Sequence, residues 1–265
     1  MLPHTGFFQL EKTEKDKDRF HCPCNLSSTC KTRMMSVFGK GRSKILIVGD
    51  APGEDDDRVG RPFVGRSGKL LKDTLALMDI YIDKDCWRMN AVNCRPPHDR
   101  SPTDQEILGC RENVFRVIRE KKPRVIILLG GDAIKSILKP QWKKVTAEVG
   151  KFRGYQIPCP DLGAYICPTY HPNFVFQDVH RQSNAELFFR QDLKDAIKKT
   201  ILPAPEALKI VVEQFRKPHQ AGEALKYIIE RWKGPVAFDY ETTGLKPHAK
   251  GHRVVCMSVS NGQIT

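Results

Sequence analysis

The chain has 265 residues, room for about two domains at the usual ~150 residues each and for a sizeable buried core. Its 44 Lys and Arg against 31 Asp and Glu leave a net charge of +13, with 40% hydrophobic residues. That balance excludes an acidic disordered chain and points to a polyanionic partner, nucleic acid first. No run reaches the ~18 apolar residues of a membrane span, and Met1 to Phe20 lacks the apolar centre of a signal peptide, so an intracellular, cytoplasmic setting is expected. In that compartment nine Cys do not form a disulfide framework, which leaves metal binding or ordinary burial.

In chain order, Glu11 to Arg19 alternates charge without an apolar period and reads as a solvated arm. Lys44-Ile-Leu-Ile-Val-Gly49 is an apolar, β-branched run ending in Gly, the pattern of a strand buried on both faces. Trp87 to Cys94, Arg124 to Gly130 and Ala164 to Pro168 are further strands. Helical patterns separate them at Gly68 to Met78, Asp104 to Glu120, Asp132 to Leu138 and Ala185 to Lys199. The second of these is the best marked: Thr103 and Glu106 have capping-box spacing, and Ile107, Leu108, Val114, Phe115 and Ile118 share a face. Alternating strands and helices imply a mostly parallel sheet covered on both sides, whose ligands sit at the carboxyl ends of the strands. Those ends lead into Asp50 to Asp57, Asn90 to Arg100, and His171.

The prolines of Leu202-Pro-Ala-Pro205 break the last helix and mark a boundary between residues 1–203 and 204–265. Beyond it Ile210-Val-Val, a helix near Gly222 to Trp232, the strand Val236 to Leu245 and a strand Arg253 to Ser260 begin a second α/β pattern. It is too short for a usual domain of this type and is expected to be the front of a longer unit.

The loop after the first strand combines Gly49-Asp-Ala-Pro-Gly53, an acidic cluster, and Gly60-Arg-Pro-Phe-Val-Gly65. Gly and Pro at a strand end let backbone approach a ligand, and an aromatic ring in such a loop offers a flat face to a base. Each residue alone has a plain alternative: Phe63 as core, Asn90 as a turn former, His171 as a satisfied loop histidine.

Taken together, Gly49 to Asp56, Gly60-Arg-Pro-Phe-Val-Gly-Arg-Ser-Gly-Lys-Leu-Leu71, Asn90-Ala-Val-Asn-Cys-Arg-Pro-Pro97 and Tyr170-His171-Pro172 resemble, in order, the motifs of the iron–sulfur (family 4) uracil-DNA glycosylases, over roughly Cys22 to Leu193. The resemblance implies a three-layer α/β/α glycosylase domain acting on DNA. It further implies that Phe63 stacks on uracil, Asn90 reads its edge, Ala51 and Gly53 line its pocket, His171 donates to the leaving anion, and Asp50 places water or stabilises the cationic sugar. One departure stands out: Asp50 occupies a position where the family usually carries Glu, and misplacing a reacting group by ~1 Å costs ~10²-fold in rate. That keeps open an alternative, a catalytically silent module that binds uracil or template DNA.

Cys94 and Cys110, with fifteen residues between them, match a pair that the family combines with two N-terminal Cys to hold a [4Fe–4S] cluster. Cys22-Pro-Cys24 and Cys30 stand in place of the familiar C-x-x-C, and the resemblance is carried by Cys24 and Cys30 rather than Cys22, with His21 nearby. Zinc on the same residues and a set of buried thiols are the other readings. Cys86, Cys159, Cys167 and Cys256 read as core residues.

Phe238-Asp-Tyr-Glu-Thr-Thr-Gly-Leu245 places Asp239 and Glu241 at i and i+2 of a strand, hence on one face, as joint ligands of a divalent metal require. The stretch resembles the first motif of DEDD-type 3′–5′ exonucleases, as in family A DNA polymerases. That resemblance implies Mg2+ or Mn2+ at an incomplete ribonuclease-H-like domain. The pair of resemblances together is that of the N-terminal region of a bacteriophage DNA polymerase in a bacterial or phage-infected cell, with a polymerase domain expected C-terminal to this chain. The basic excess is expected along a DNA groove, with Arg61, Arg66, Arg95 and Arg100 as candidates for phosphate contacts.

Overall fold

The computed structural model describes residues 24–138, 148–178, 184–206, 217–231, 237–242 and 254–260. Two compact units divide the chain, residues 1–207 and 208–265. The first is built on a sheet of five strands: β1 (Ile45–Gly49), β2 (Cys86–Asn90), β3 (Val125–Leu129), β4 (Ile157–Cys159) and β5 (Ala164–Thr169). Their order is β2-β1-β3-β5-β4, with β1, β2, β3 and β5 parallel and β4 antiparallel to β5 at the edge.

Both faces of β1 and β3 are buried, which is why these strands read as unbroken apolar runs. The period-2 alternation then sorts their side chains into two cores. Leu46, Val48, Ile126 and Leu128 pack with Val114, Val117 and Ile118 of α4 (Asp104–Lys121) and Ile134 and Ile137 of α5 (Gly131–Leu138). Ile45, Ile47, Val125, Ile127 and Leu129 pack on the other face with Leu71 and Leu75 of α2 (Arg66–Ala76), Val175 of α7 (Pro172–Asp178) and Phe189 and Leu193 of α8 (Ala185–Lys198). Three layers result, α/β/α. Short helices α1 (Glu54–Val59), α3 (Ile82–Asp85) and α6 (Val149–Phe152) complete the unit.

The capping box is formed as its spacing requires: the Glu106 N–H donates to Thr103 Oγ1, and the Thr103 N–H to Glu106 Oε2 at 2.7 Å. Other expectations shift. The second strand ends at Asn90 rather than Cys94, because residues 91–94 turn away and deliver Cys94 to a third apolar cluster. The acidic stretch after Gly53 is a helical turn, α1, not an open loop.

The second unit contains α9 (Pro218–Arg231) and an antiparallel pair, β6 (Ala237–Thr242) and β7 (Val254–Ser260), in which Asp239 stands opposite Ser258 and Glu241 opposite Cys256. Glu11 to Arg19, His21, Cys22 and Ile210-Val-Val lie outside the described residues. No helix among the described residues is long and apolar enough to cross a membrane.

Candidate active site

The carboxyl ends of β1, β2 and β5 carry Asp50, Asn90 and His171, and the loop before α2 brings Phe63 to them. Phe63 and Asn90 meet at Gly49. A Cβ there would lie 2.5 Å from the Phe63 ring and 2.6 Å from Asn90 Oδ1, so only a residue without a side chain lets both approach the strand end. Phe63 and His171 rings lie 6.4 Å apart and 29° from parallel. Asp50 follows Gly49 directly, and Ala51 packs beside the cysteine-bearing cluster while Gly53 caps α1 with open space around it. Phe63 thus links Asn90 and His171, while the Asp50 carboxylate lies against Gly130 at the start of α5.

Each is held by chemistry that its own sequence position did not display. Asp50 Oδ1 accepts the backbone N–H groups of Asp132 (2.9 Å) and Ala133 (3.0 Å) at the start of α5. A Cβ on Gly130, whose φ is +100°, would come within 2.3 Å of Asp50 Oδ2. Burial, reinforced by the neighbouring Asp132 carboxylate, pushes the Asp50 pKa up to about 7, against the opposing pull of these two N–H groups. Asp132 is itself paired with Lys135 at 3.4 Å.

Asn90 is buried, and its side-chain nitrogen has no hydrogen-bond partner among the described residues. Leaving such a donor unpaired costs about 1–3 kcal/mol, which identifies it as a group waiting for an acceptor. The half-buried His171 precedes α7, and its Nδ1 accepts the Asn173 N–H at 3.1 Å, which leaves the ring proton of the neutral imidazole on Nε2. Burial lowers its pKa to about 4. The end of β5 just before it is anchored by Thr169 Oγ1 donating to buried Asp192 at 2.8 Å, whose carboxylate also takes a two-pronged contact from Arg153.

Phe63 is in the left-handed region, φ +59°, a conformation costly for an aromatic residue. Several contacts enforce it. Asp56 Oδ1 accepts the Val64 N–H at 2.8 Å, with the Phe63 and Gly65 N–H groups also directed at that carboxylate. Buried Arg88 donates from Nε to the Pro62 carbonyl at 2.8 Å and lies 4.7 Å over the Phe38 ring. A Cβ at Gly68 would sit 2.1 Å from the Phe63 carbonyl oxygen, so the loop folds tightly onto α2.

Cys94 and Cys110 share a small buried cluster with Leu26, Val92 and Ile107, against which Cys24, Cys30 and Ala51 pack. The Met34 N–H donates to Cys94 Sγ at 3.2 Å. Burial, with Cys30 and Cys24 close by, pushes the Cys94 thiol up to about 12. Among the described residues no three His, Cys, Asp or Glu side chains are grouped to hold a single metal ion. Four thiols nevertheless border one small apolar patch, the donor type that an iron–sulfur cluster takes, and Cys94 Sγ already accepts an N–H bond there. Cys86, Cys159 and Cys167 are buried, as expected of core residues.

The four arginines divide. Arg95 pairs with Asp99 at 2.7 Å and Arg100 with Glu106 at 2.6 Å, so both serve the local structure. Arg61 and Arg66 instead lie over the rings of Phe38 and Phe176, at 4.8 and 4.9 Å.

The profile of the uracil DNA glycosylase superfamily matches residues 36–196, a stretch that spans the sheet together with Asp50, Phe63, Asn90, His171, Cys94 and Cys110, but not Cys24 or Cys30. The chain belongs to this superfamily. It is 37% identical over 153 residues to a type-4 uracil-DNA glycosylase of Saccharolobus solfataricus, covering 56% of this chain and 70% of that protein. A type-4 uracil-DNA glycosylase of Thermotoga maritima is 33% identical over 186 residues, 69% of this chain and 90% of that protein. A DNA polymerase of Bacillus phage SP01 is 31% identical over 162 residues, 60% of this chain but 16% of the polymerase. Asp56, Asp57, Arg88, Gly68 and Asp132 were not singled out by the sequence reading, although the acidic run after Gly53 at helix-start spacing was a signal for the first two.

Proposed function

We propose that the first unit hydrolyses the N-glycosidic bond of uracil in DNA. The observation that carries this reading is the meeting of Phe63 and Asn90 over Gly49, with Asp50 and His171 beside them. A nucleotide turned out of the duplex stacks its base on Phe63 and receives a hydrogen bond on a ring carbonyl from the unpaired Asn90 amide nitrogen. As the C1′–N1 bond breaks, the electron pair leaves with the uracil ring, and the neutral His171 donates from Nε2 to the resulting anion. Asp50, as carboxylate, orients the water that adds to C1′ and takes its proton. Ala51 and Gly53 bound the pocket.

Cys24, Cys30, Cys94 and Cys110 would hold a [4Fe–4S] cluster that clips the N-terminal segment to the loop after β2 and to α4. Asp239 and Glu241, two residues apart on β6, would be the first divalent-metal ligands, for Mg2+ or Mn2+, of a 3′–5′ exonuclease unit. The likeness to a phage DNA polymerase supports placing this chain at the front of a polymerase in an infected bacterial cytoplasm.

A second reading is favoured by one observation. Asp50 Oδ1 is engaged by α5, which draws the short carboxylate toward the helix, and a module so arranged binds uracil without cleaving it. The test is excision from uracil-containing single- and double-stranded oligonucleotides, read as alkali-labile sites, with wild type, His171→Ala and Asp50→Glu. Excision by wild type, lost in His171→Ala, supports the enzyme. Intact oligonucleotides that are nevertheless bound support the silent module, and unchanged excision by His171→Ala refutes the role given to that residue.

A further inference from the structure

The run Asp55-Asp56-Asp57 is left unused by the chemistry above, yet two of its three carboxylates are buried and neither Asp56 nor Asp57 forms an ion pair among the described residues. Burying a charge without a counter-ion is costly unless several N–H groups compensate it. Here they do, and they come from two different loops. Asp57 Oδ1 accepts the Thr32 N–H at 2.7 Å and Oδ2 the Lys31 N–H at 3.0 Å, while the Asp57 carbonyl accepts Thr32 Oγ1 at 2.6 Å. The clamped segment directly follows Cys30, whose Sγ contacts the Thr32 carbonyl at 3.3 Å, and leads to Met34, the donor to Cys94 Sγ. One residue earlier, Asp56 accepts the Val64 N–H at 2.8 Å and holds the loop that keeps Phe63 in its left-handed conformation.

We propose that α1 is a strut between the cysteine centre and the base-stacking ring, with Asp57 and Asp56 as its two positioning residues; this rests on the functional reading given above. Consecutive residues of a helix project about 100° apart, so one six-residue element grips both loops at once. The cysteine end fixes Lys31 and Thr32, Asp57 transfers that position to α1, and Asp56 fixes Phe63 to Gly65. Released from Asp57, the strut keeps only its Phe63 end, and the strained Phe63 backbone relaxes.

The test uses the full chain purified anaerobically, as wild type, Asp56→Ala, Asp56→Asn and Asp57→Ala, with Thr32→Val as a milder break of the Asp57 clamp. Amide hydrogen exchange is followed in peptides covering residues 30–34 and 61–66, together with absorbance near 400 nm, iron content and the KM and kcat for uracil excision. Outer contacts of this kind are worth about 10–100-fold in metal affinity or activity. Asp57→Ala and Thr32→Val are expected to lose iron to a chelator at least tenfold faster and to speed exchange in both peptides. Asp56→Ala is expected to keep its iron, speed exchange only in residues 61–66 and raise KM about tenfold with little change in kcat. Asp56→Asn, which retains an acceptor oxygen, recovers most of that loss. Exchange in residues 61–66 at the wild-type rate in both Asp57→Ala and Thr32→Val overturns the strut, as does an unchanged KM in Asp56→Ala. If wild type excises no uracil, the functional reading fails, and the exchange and iron measurements still decide the strut.

Discussion

Asp50→Asn should make the protein more stable, and more so at high pH. The Asp50 pKa is pushed up from 3.8 to about 7 in the folded chain, chiefly by burial. Between those values the folded state retains a proton that the unfolded chain has lost, so stability falls as pH rises through that window and the full deficit is reached above about 7. At about 1.36 kcal/mol per pH unit the deficit of ionised Asp50 is about 4 kcal/mol above pH 7, and less than half of that at pH 5. Because the site is half open to solvent, this is an upper bound. Asparagine keeps an oxygen for the Asp132 and Ala133 N–H groups and never ionises. Any cost of placing its amide group against Gly130 is the same at both pH values, so the pH-dependent part, about 2–3 kcal/mol, is the quantity to read. Urea unfolding of wild type and Asp50→Asn at pH 5 and pH 8.5 measures it, and an identical gain at the two pH values would refute the argument that Asp50 ionises against burial. The same titration predicts that wild-type excision rises with pH and levels off above about 7, and that Asp50→Asn lacks this rise.

Other substitutions probe the rest of the site. Gly49→Ala, whose new methyl would meet Phe63 and Asn90 at 2.5 and 2.6 Å, is expected to abolish uracil binding while leaving iron content unchanged; retained binding in a fluorescence titration would refute the meeting point. Asn90→Ala removes a donor with no partner among the described residues, so it should cost about 1–3 kcal/mol in kcat/KM without loss of stability in urea. His171→Ala should lower kcat about 10²–10³-fold, and because the histidine pKa lies at about 4, wild type should show no further activity change attributable to it between pH 6 and 8. Cys94→Ala should abolish the absorbance near 400 nm and the bound iron; a variant that keeps both would exclude Cys94 as a ligand.

What the sequence made legible follows from how each element is buried. Ile45 to Gly49 and Val125 to Leu129 are covered on both faces, which leaves an unbroken apolar run, and Thr103 with Glu106 announces α4 through side chains that act only locally. Helix α1 was hidden because Glu54 to Val59 has no apolar period: Asp56 and Asp57 are buried by accepting N–H groups from remote loops, and no hydropathy pattern records that. The edge strand Ile157–Cys159 was missed because it has three residues with a proline at its centre. At the candidate site the sequence displayed candidate residues but not what restrains them. The Asp50 tether spans 82 residues, and the His171 proton is placed by an N–H two residues downstream that only the turn into α7 brings back.

Burial drives Asp50 and His171 in the same sense, each toward its neutral form, since one is an acid raised and the other a base lowered. Between about pH 4 and 7 the carboxyl end of the sheet therefore carries little formal charge from either group, although the chain as a whole carries +13. In the proposed reaction, charge is used elsewhere: cations that would meet DNA phosphates are surface groups, exposed to salt, whereas a leaving uracil anion would be met by dipoles, the His171 Nε2–H and the Asn90 amide. A neutral donor has a reason to sit there. An imidazolium would attract any anion, including the phosphates flanking an ordinary base, and would favour binding before the bond to the base has begun to break. A neutral N–H gains most from the charge that develops only as the base departs, which is the difference between ground and transition state on which rate depends.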